Sequence, residues 1–397
     1  MTQRADDVVV VSACRTPIGK AGRGAFKATT PDDLLLAVLE ATLQRTGLAP
    51  AAVQDIAVGN VQLAGAYAGP ARMSMLRAGF PASVPLYTVN RQCSSGLQAV
   101  ANVASSIRAG SIDVGIAAGV ESMSFGGGVA NPNAELPPVN YSEVQENELA
   151  RECLVPMGMT AENVAERYGV SRADQDQMAV ESHAKALAAQ AQGKFDAEIV
   201  PVPVVVTGKD GTERSVHVAR DEGPRPGTTL EKLAKLKTVF KPDGSVTAGT
   251  SSQVSDGAAA VLLMSRAKAR ALGMRPLGAL RSYQVVGCKP DEMGVGPAVA
   301  IPAALDAAGL SASEIDVFEI NEAFAAQALY CVRKLGLPME KVNPNGGAIA
   351  LGHPLACTGA RQVATLLHEL RRTNQRYGVV SMCIGTGMGA AAVFEAE

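Results

Sequence analysis

The sequence predicts an α/β fold with two homologous halves and a long segment inserted into the first half. Short runs of β-branched residues alternate with Ala- and Leu-rich helical patterns, which is typical of layered α/β architecture. The same layout recurs after about 250–260 residues, a separation too long for a solenoid repeat. Between the two copies, from about Phe125 to Val246, the alternation changes and proline, asparagine and glutamate become frequent.

The first half opens with a predicted strand, DVVVVSAC, followed by an amphipathic helix, TPDDLLLAVLEATLQRTG, that should end at Gly47. The strand IAVGNV comes next. In the second half, IPAALDAAGLSASEIDVFEIN aligns with LEATLQRTGLAPAAVQDIAVGN without a gap over most of its length. Later, VNRQCSSGLQAV and VNPNGGAIALGHPLACTGARQVATLLHEL both run through small residues into a helix and a strand. Equivalent halves tend to place equivalent loops at their common interface, so we expect a shared site there.

The inserted segment has a pattern of its own. A helical stretch, ENVAERYGVSRADQDQMAVESHAKALAAQAQG, precedes a strand-like run, EIVPVPVVV, and a predicted hairpin around GKDGT. We expect an N-terminal half at 1–124 plus 247–275, the inserted segment at 125–246, and a C-terminal half at 276–397. Long excursions of this kind often cover a substrate site.

Composition and charge exclude several classes of protein. The net charge of −2, with acids and bases interspersed, predicts no nucleic-acid partner. The chain contains no apolar run near the roughly 18 residues that span a bilayer. Its start, MTQRADD, lacks the apolar core of a secretion signal, and its end, VFEAE, is not a peroxisomal tripeptide signal. The 7 cysteines include no CxxC pair, which indicates a reducing compartment without a disulfide framework or zinc site.

Cys93 is a candidate nucleophile. It lies between the predicted strand VPLYTV and a helix that begins near SSGLQAV, where free N–H groups and the helix dipole favour a thiolate. The alternative is an inert buried thiol. His353 is a candidate base, because it lies in the glycine-rich GGAIALGHPLACTG that the repeat places opposite the Cys93 loop. The other histidines, His183, His217 and His368, have less distinctive surroundings.

Two further candidates end predicted strands. Cys383 opens CIGTGMGA, whose G-x-G-x-G spacing and following strand exclude a dinucleotide-binding loop. A cysteine there could exchange a proton beside backbone N–H donors. Asn321, in INEAFA, either caps the next helix or holds a water or a substrate carbonyl. A Cys/His pair supports thioester chemistry, since a thiolate attacks carbonyl carbon and leaves again readily. A cysteine hydrolase would need neither the second cysteine nor the duplication.

Four blocks resemble the signature blocks of thiolases: NRQCSSG, INEAFA, GGAIALGHPLACTGARQ and SMCIGTGMGAA. The similarity extends from about Asp7 to Phe394. CLVPMGMTAENVAERYGVSR, DEGPRPGTTLEKLAKLK and SSQVSDGAAAVLL resemble the degradative, peroxisomal-type 3-ketoacyl-CoA thiolases. The resemblance implies a thiolase fold with five-layered αβαβα halves and a loop domain over the site. It also implies coenzyme A as cosubstrate, with no other cofactor and no metal.

The resemblance assigns roles to five residues. Cys93 would accept the acyl group, His353 would take the thiol proton, and Cys383 would be the acid or base at the acetyl α-carbon. Asn321, acting through a water, and His353 would form one oxyanion hole. The backbone N–H groups of Cys93 and Gly385 would form the second.

Other positions follow from the same resemblance. Arg225 and Ser252 should meet coenzyme A, and Met157 and Phe324 should flank the pantetheine channel. Two residues depart from the family pattern. Thr250 stands where the family block AGNSSQ has Asn, and Ala356 stands where the family block HPLGCTG has Gly. A methyl group at the second position would strain the loop if that glycine needs a positive φ.

The expected activity is thiolytic cleavage of 3-ketoacyl-CoA by CoA to acetyl-CoA and a shortened acyl-CoA, in fatty-acid β-oxidation. Alternatives are an acetoacetyl-CoA thiolase running Claisen condensation and a non-catalytic acyl-CoA- or lipid-binding relative. A ketoacyl synthase would carry a second histidine in place of Asn321. The resemblance further implies an intracellular protein, peroxisomal or, if no targeting segment has been trimmed, cytoplasmic. It implies a homodimer paired around YTVNRQC, where GAYAGPARMSMLRAGFPASV is either interface or ordinary core.

Overall fold

The computed structural model describes residues 7–126, 138–207 and 212–397. The strands in these ranges are β1 (Val8–Arg15), β2 (Gly19–Lys20), β3 (Asp55–Gly59), β4 (Leu86–Val89), β5 (Val114–Ser122), β6 (Val202–Thr207), β7 (Glu213–Val218), β8 (Ser255–Ser265), β9 (Gly278–Gly287), β10 (Val317–Ile320), β11 (Tyr377–Ile384) and β12 (Met388–Ala396). The helices are α1 (Pro31–Thr46), α2 (Ala68–Arg77), α3 (Ser95–Arg108), α4 (Tyr141–Glu146), α5 (Glu148–Glu152), α6 (Met157–Tyr168), α7 (Arg172–Ala191), α8 (Leu230–Ala234), α9 (Arg266–Ala271), α10 (Gly296–Ala308), α11 (Ala325–Leu335), α12 (Ala348–Leu351) and α13 (Leu355–Thr373).

The two halves have the same strand topology. In the first half β3 pairs parallel with β5, and β8 pairs antiparallel with both β5 and β1. In the second half β10 pairs parallel with β11, and β12 pairs antiparallel with both β11 and β9. The two sets join into a 10-stranded sheet because β1 also pairs with β9, at Val9↔Ala279 and Val10↔Gly278. The duplication follows from the sequence pattern, but this short link between the halves was not predicted.

Five layers follow from how the helices cover the sheet. Helices α3 and α13 lie between the two halves, in a core cluster that includes Leu97, Val363 and Met382. Helix α1 packs on the outer face of the first half. Helix α10 packs on the outer face of the second half. The order of layers is therefore α1, the first-half part of the sheet, the pair of α3 and α13, the second-half part of the sheet, and α10.

The first turn of α13 approaches both α3 and β5 so closely that glycine is required at each contact. A Cβ atom at Gly96 would lie 2.4 Å from the carbonyl oxygen of Ala356, and one at Gly119 would lie 2.1 Å from the same oxygen. Real Cβ atoms do not make such contacts with backbone. The first turns of α3 and α13 are thus held side by side. Cys93 and His353 precede them at matching positions, each three residues before a contact residue.

The inserted segment is more broken than its sequence pattern suggests. The predicted helical stretch divides into α6 and α7, because Gly169 ends the first helix at a φ of 65° and Ser171 caps the second. The predicted strand is β6, which pairs antiparallel with β7. The turn expected around GKDGT falls largely on residues 208–211, outside the described residues.

A buried ion-pair group ties the inserted segment to the first strand. Arg15 is fully buried and donates to Glu198 at 2.5 Å and to Asp221 at 2.7 and 2.9 Å. Thr365, on α13, also donates to Glu198 at 3.0 Å. One cluster therefore contacts the first half, the second half and the inserted segment. Removing one partner from such a cluster would leave an uncompensated buried charge.

Strand β4 ends the sheet, and helix α2 packs beside it. Part of the apolar stretch before the Cys93 loop is core, since Ala71 and Met75 are buried, but Met73 and Leu76 are 62% and 44% exposed. The core reading of that stretch thus applies to one face of the helix, and the other face is exposed. Among the described residues, the structure contains no helix with the length and apolar character needed to cross a membrane.

Candidate active site

Cys93 lies in a tight loop between β4 and α3. Gln92, just before it, has a φ of 46°, a left-handed conformation that is costly for a residue with a side chain. The loop is held by Ser95, whose hydroxyl accepts from Arg91 N–H at 2.9 Å and donates to the carbonyl of Gln92 at 2.6 Å. The Gln92 side chain also donates to the Thr386 hydroxyl at 3.1 Å. The second half therefore helps to hold the loop that presents the thiol.

The environment of the Cys93 thiol differs from the expected one. Burial raises the pKa of Cys93 to about 11, although N–H groups of Gly385 and of Cys93 itself lower it. The Glu121 carboxylate adds to the rise. The expectation of a resting thiolate is therefore wrong, because desolvation outweighs the backbone donors at the helix start. The Gly385 N–H donates to the Cys93 thiol, and its role in an oxyanion hole stays a prediction.

Cys383 lies at the end of β11 and is fully buried. Burial and the neighbouring Cys93 raise its pKa well above the ordinary value, so it is a neutral thiol at neutral pH. The chain then turns sharply into β12, with φ values of 65° at Thr386 and 91° at Gly387. A Cβ atom at Gly385 would lie 2.0 Å from the Gln92 side-chain oxygen. Because glycine has no Cβ atom, the backbone of this turn can contact the Cys93 loop.

Asn321 contacts His353 rather than capping a helix. Its Nδ2 lies 3.3 Å from His353 Nε2, and both side chains are buried. Helix α11 has Phe324 at its N-cap, so the capping alternative is wrong. The Asn321 N–H donates to the carbonyl of Ser381 on β11 at 2.9 Å, which fixes it beside the strand that carries Cys383. Its Oδ1 is buried and has no hydrogen-bond partner within the described ranges.

His353 is held through its ring and through its backbone. Its ring Nδ1 lies 2.6 Å from the hydroxyl of Thr358, and its backbone N–H donates to the carbonyl of Gln253 at 3.1 Å. Burial, and to a smaller degree Arg361, lower the pKa of His353 to about 3. The glycine-rich loop is needed here, because Gly352 has a φ of 104° and a Cβ atom there would meet Ser255 at 2.3 Å. His353 is therefore a neutral base at neutral pH.

A cavity of about 1160 Å³ opens near His353, because one of its lining residues is Gln253, whose carbonyl accepts from the His353 backbone N–H. Arg225 and Ser252, the predicted coenzyme A contacts, both line it, together with Phe240. Phe324 makes an edge-to-face contact with Phe240, at 6.0 Å between ring centroids, and packs on the cluster that contains Cys383.

The predicted channel residues lie near the cysteines. The sulfur of Met157 would be 3.5 Å from a Cβ atom at Gly385, so it adjoins the Cys93 loop. Phe324 contacts both the cavity-lining Phe240 and the cluster that contains Cys383. The roles of Met157, Phe324, Arg225 and Ser252 stay predictions.

Sequence reasoning missed several residues at this site. Glu121 is fully buried and accepts from the N–H groups of Gln62 at 3.1 Å and Ala356 at 3.2 Å; burial raises its pKa to about 7. The sequence feature that could have identified Glu121 is a lone acidic residue at the end of the apolar run IAAGVES. For Thr358, the only sequence indication is its position in the block around His353. No sequence feature indicates Phe240, since an isolated aromatic residue in a polar loop is not distinctive.

The two departures from the family pattern have simple local explanations. Ala356 lies in the first turn of α13 with helical backbone, so its methyl group causes no strain of the kind feared from the sequence. Thr250 is buried, and its hydroxyl accepts from the N–H of Thr247 at 3.0 Å. Neither residue contacts the reacting side chains through a hydrogen bond that the structure describes. Over residues 7–126, 138–207 and 212–397, no group of three or more His, Cys, Asp or Glu side chains could hold a metal ion.

Comparison with known proteins agrees with this geometry. Residues 8–267 match the family described as "Thiolase, N-terminal domain", and residues 274–396 match "Thiolase, C-terminal domain". The chain is 63% identical over 393 residues to peroxisomal 3-ketoacyl-CoA thiolase B of Rattus norvegicus, covering 98% of this chain and 91% of the rat protein.

Solved structures give the same result. The dimeric peroxisomal thiolase of Saccharomyces cerevisiae matches with a TM-score of 0.91 and 49% identity, over 100% of this chain and 99% of the yeast chain. Human mitochondrial 3-ketoacyl-CoA thiolase in complex with CoA matches with a TM-score of 0.87 and 39% identity, over 99% and 98% of the two chains. With both domain families matched and relatives this similar along its whole length, the chain belongs to the thiolase family.

Proposed function

We propose that this protein is a 3-ketoacyl-CoA thiolase, an acetyl-CoA C-acyltransferase that cleaves 3-ketoacyl-CoA with CoA in fatty-acid β-oxidation. The observation that carries the proposal is the presence of two pairs of groups at the site: one includes the half-buried Cys93, and the other consists of two buried side chains. Cys93 meets the Gly385 N–H close to Cys383, and His353 meets Asn321. This provides a nucleophile, a base, an acid and two groups of donors at one place.

In the first step, His353 Nε2 takes the proton of the Cys93 thiol as the sulfur attacks the 3-keto carbon. A neutral thiol and a neutral imidazole transfer the proton only as the new S–C bond forms, because neither carries a charge at rest. The N–H groups of Cys93 and Gly385 stabilise the oxyanion that develops on the keto oxygen.

Bond cleavage follows. The C2–C3 bond breaks, C3 remains attached to Cys93 as a thioester, and the bonding electrons move into the enolate of acetyl-CoA. The Cys383 thiol donates its proton to C2, and acetyl-CoA leaves. His353, with a water held by Asn321, stabilises the enolate oxygen. The unpartnered Asn321 Oδ1 supports this assignment, since a buried amide oxygen needs a donor.

The second half-reaction regenerates the enzyme. The Cys383 thiolate takes the proton of the CoA thiol as the CoA sulfur attacks the Cys93 thioester, which returns Cys383 to its thiol form. The bond between the acyl carbon and Cys93 then breaks, the Cys93 sulfur regains its proton from His353, and the acyl-CoA product leaves. We place the CoA nucleotide beside Arg225 and Ser252, and its pantetheine arm between Met157 and Phe324. The size of the adjoining cavity, about 1160 Å³, supports a ligand as large as CoA. CoA is a cosubstrate, and the mechanism has no step that needs another cofactor.

We also propose a homodimer and a peroxisomal location. The yeast relative is dimeric and the rat relative is peroxisomal by name, and both are similar to this chain over almost its full length. The domain boundaries proposed are 1–124 plus 247–275, 125–246 and 276–397. They are supported by the change of architecture between β5 and β8.

The acetoacetyl-CoA and non-catalytic alternatives are not favoured. The high identity is to a degradative 3-ketoacyl-CoA thiolase, and all the residues of the proposed reaction are present. Rates on 3-ketoacyl-CoAs of increasing chain length separate a broad degradative enzyme from one restricted to acetoacetyl-CoA.

Acyl transfer tests the central claim. After incubation with acetyl-CoA and digestion, a thioester should be found on the peptide that contains Cys93. Cys93→Ser should lose most of its turnover, since a hydroxyl needs much stronger activation than a thiol. Label on Cys383 would reverse the roles of the two thiols, and no label together with CoA binding would indicate a binding protein.

A further inference from the structure

We infer that Thr358 is a positioning residue that holds the His353 proton on Nδ1 and so leaves Nε2 free to act as the base. The inference rests on the proposed function and assigns a residue to that mechanism. Thr358 is fully buried in the first turns of α13, and its Oγ1 lies 2.6 Å from His353 Nδ1.

The Thr358 hydroxyl can accept a hydrogen bond from His353 because it donates its own proton to a different group. Thr358 Oγ1 lies 3.2 Å from the carbonyl oxygen of Pro354, one helical turn earlier, and that oxygen can only accept. With the proton directed there, the short contact to the ring uses an oxygen lone pair and a hydrogen on Nδ1. Nδ1 is then the donor, and Nε2 keeps its lone pair.

The contact at Nε2 is consistent with this tautomer. Asn321 Nδ2 lies 3.3 Å from Nε2 and donates to it in the resting state. The opposite tautomer would require Asn321 to turn its amide and Thr358 to release Pro354. Histidine free in water prefers its proton on Nε2, so the protein must supply the preference for Nδ1. The Thr358 hydroxyl supplies this preference. In the described part of the chain, it is the only group that the structure places within hydrogen-bond distance of Nδ1.

A neutral hydroxyl suits this reaction better than a carboxylate. It accepts from Nδ1–H both before and after His353 takes a proton, so the ring does not need to turn during catalysis. It adds no negative charge that would favour the imidazolium at rest. Burial therefore keeps His353 neutral until substrate arrives.

The test compares Thr358→Val, Thr358→Ser and a matched control, Thr42→Val. Valine preserves the shape of threonine but removes the acceptor, whereas serine retains it. Thr42 is also a buried helical threonine that donates to the carbonyl one turn earlier, at 2.7 Å to Val38, but it lies in the outer cluster of the first half. The control therefore loses the same kind of intrahelical bond without affecting a histidine.

Two readouts are required. Histidine-selective ¹⁵N NMR is practical because the chain has 4 histidines, and it should show a protonated Nδ1 in wild-type His353 and a shift toward protonated Nε2 in Thr358→Val. The rate of Cys93 acylation by acetyl-CoA should fall at least about tenfold in that variant, which is a part of the roughly 10²–10⁴-fold that general-base catalysis contributes. Thr358→Ser should restore both, and Thr42→Val should match wild type in both.

A wild-type His353 with its proton on Nε2 would overturn the inference even if no variant folds. So would a Thr358→Val protein that acylates normally, or a Thr358→Ser protein that is as slow as Thr358→Val. The NMR result does not depend on turnover. If the wild-type protein fails to cleave 3-ketoacyl-CoA while His353 shows a protonated Nδ1, the proposed function fails and the tautomer assignment stands.

Discussion

At the scale of single residues, the site is neutral at rest. The pKa of Cys93 is raised to about 11, that of His353 is lowered to about 3, and that of Cys383 is raised well above its ordinary value, all chiefly by burial. Charge separation therefore occurs only when a substrate carbonyl reaches the donors that stabilise it. This protects the thiols from reactions that require a thiolate.

The division of labour between Cys383 and His353 is testable through partial reactions. Cys383→Ala should reduce the exchange of the acetyl-CoA α-protons with D₂O by at least about a hundredfold, because the acid is lost, while acylation of Cys93 stays detectable. His353→Ala should suppress acylation itself. The measurements are mass spectrometry of the thioester peptide and NMR of acetyl-CoA.

Cys14→Ala is the matched control for Cys383→Ala. Cys14 is an equally buried thiol, but it lies in the outer cluster of the first half, so both partial reactions should remain. Equal loss of both reactions in the Cys383 and His353 variants would contradict the assignment of separate roles.

At the scale of elements, the paired helices α3 and α13 determine the geometry of the site. Gly96 and Gly119 allow backbone of the first half to touch the carbonyl of Ala356, so the loops before both helices meet. The N–H of Ala356 donates to Glu121 on β5. The first turn of α13 is thus held on two sides. Because His353 comes just before this turn, its backbone position is fixed as well.

Ala356→Gly tests whether the departure from the family glycine has a cost. Because Ala356 is buried and helical, its removal should lower the free energy of unfolding by about 1–2 kcal/mol, from lost helix propensity and a lost buried methyl group. Turnover should not increase. Denaturant unfolding and steady-state kinetics are the measurements.

Ala364→Gly provides the comparison within the same helix. Ala364 is also fully buried on α13 but lies farther from the site, so the loss of stability should be similar or larger. A glycine variant at 356 that is both as stable as wild type and faster would show that the methyl group does strain the His353 loop.

At the scale of the whole molecule, the edge of the first-half sheet lies next to the site in the chain, and we expect it to couple assembly to the site. Strand β4 ends the sheet and leads directly into the Cys93 loop. The adjacent helix α2 exposes Met73 and Leu76. An open edge beside apolar side chains is suited to pairing with a second copy of the chain.

Sedimentation should give about twice the chain mass of 40.8 kDa. The double variant Met73→Glu, Leu76→Glu should shift the protein to the monomer and reduce turnover by up to about a hundredfold, since a small displacement of the Cys93 loop costs catalysis. A double variant at exposed positions elsewhere, Leu272→Glu with Val299→Glu, should remain dimeric and active. A fully active monomer would refute the coupling of assembly to the site.

The sequence by itself determined most of the elements and the duplication, and it supplied the candidate site residues. Strands such as β1 and helices such as α1, with Gly47 in the left-handed conformation at its end, follow from periodicity and local turn chemistry. The motif around His353 pointed to a close backbone approach, which Gly352 confirms. These features depend on neighbours within a few residues, so the sequence pattern contains them.

Only the tertiary structure decided the protonation and the contacts of those residues. The dipole argument for a Cys93 thiolate failed because desolvation depends on every side chain packed around the thiol. Distant neighbours also decided the other two outcomes. The capping role considered for Asn321 is wrong because its side chain contacts His353. The strain considered for Ala356 is absent because the residue lies in a helix. Burial and pairing are set by segments far apart in the chain, and these meet only when the two halves pack around α3 and α13.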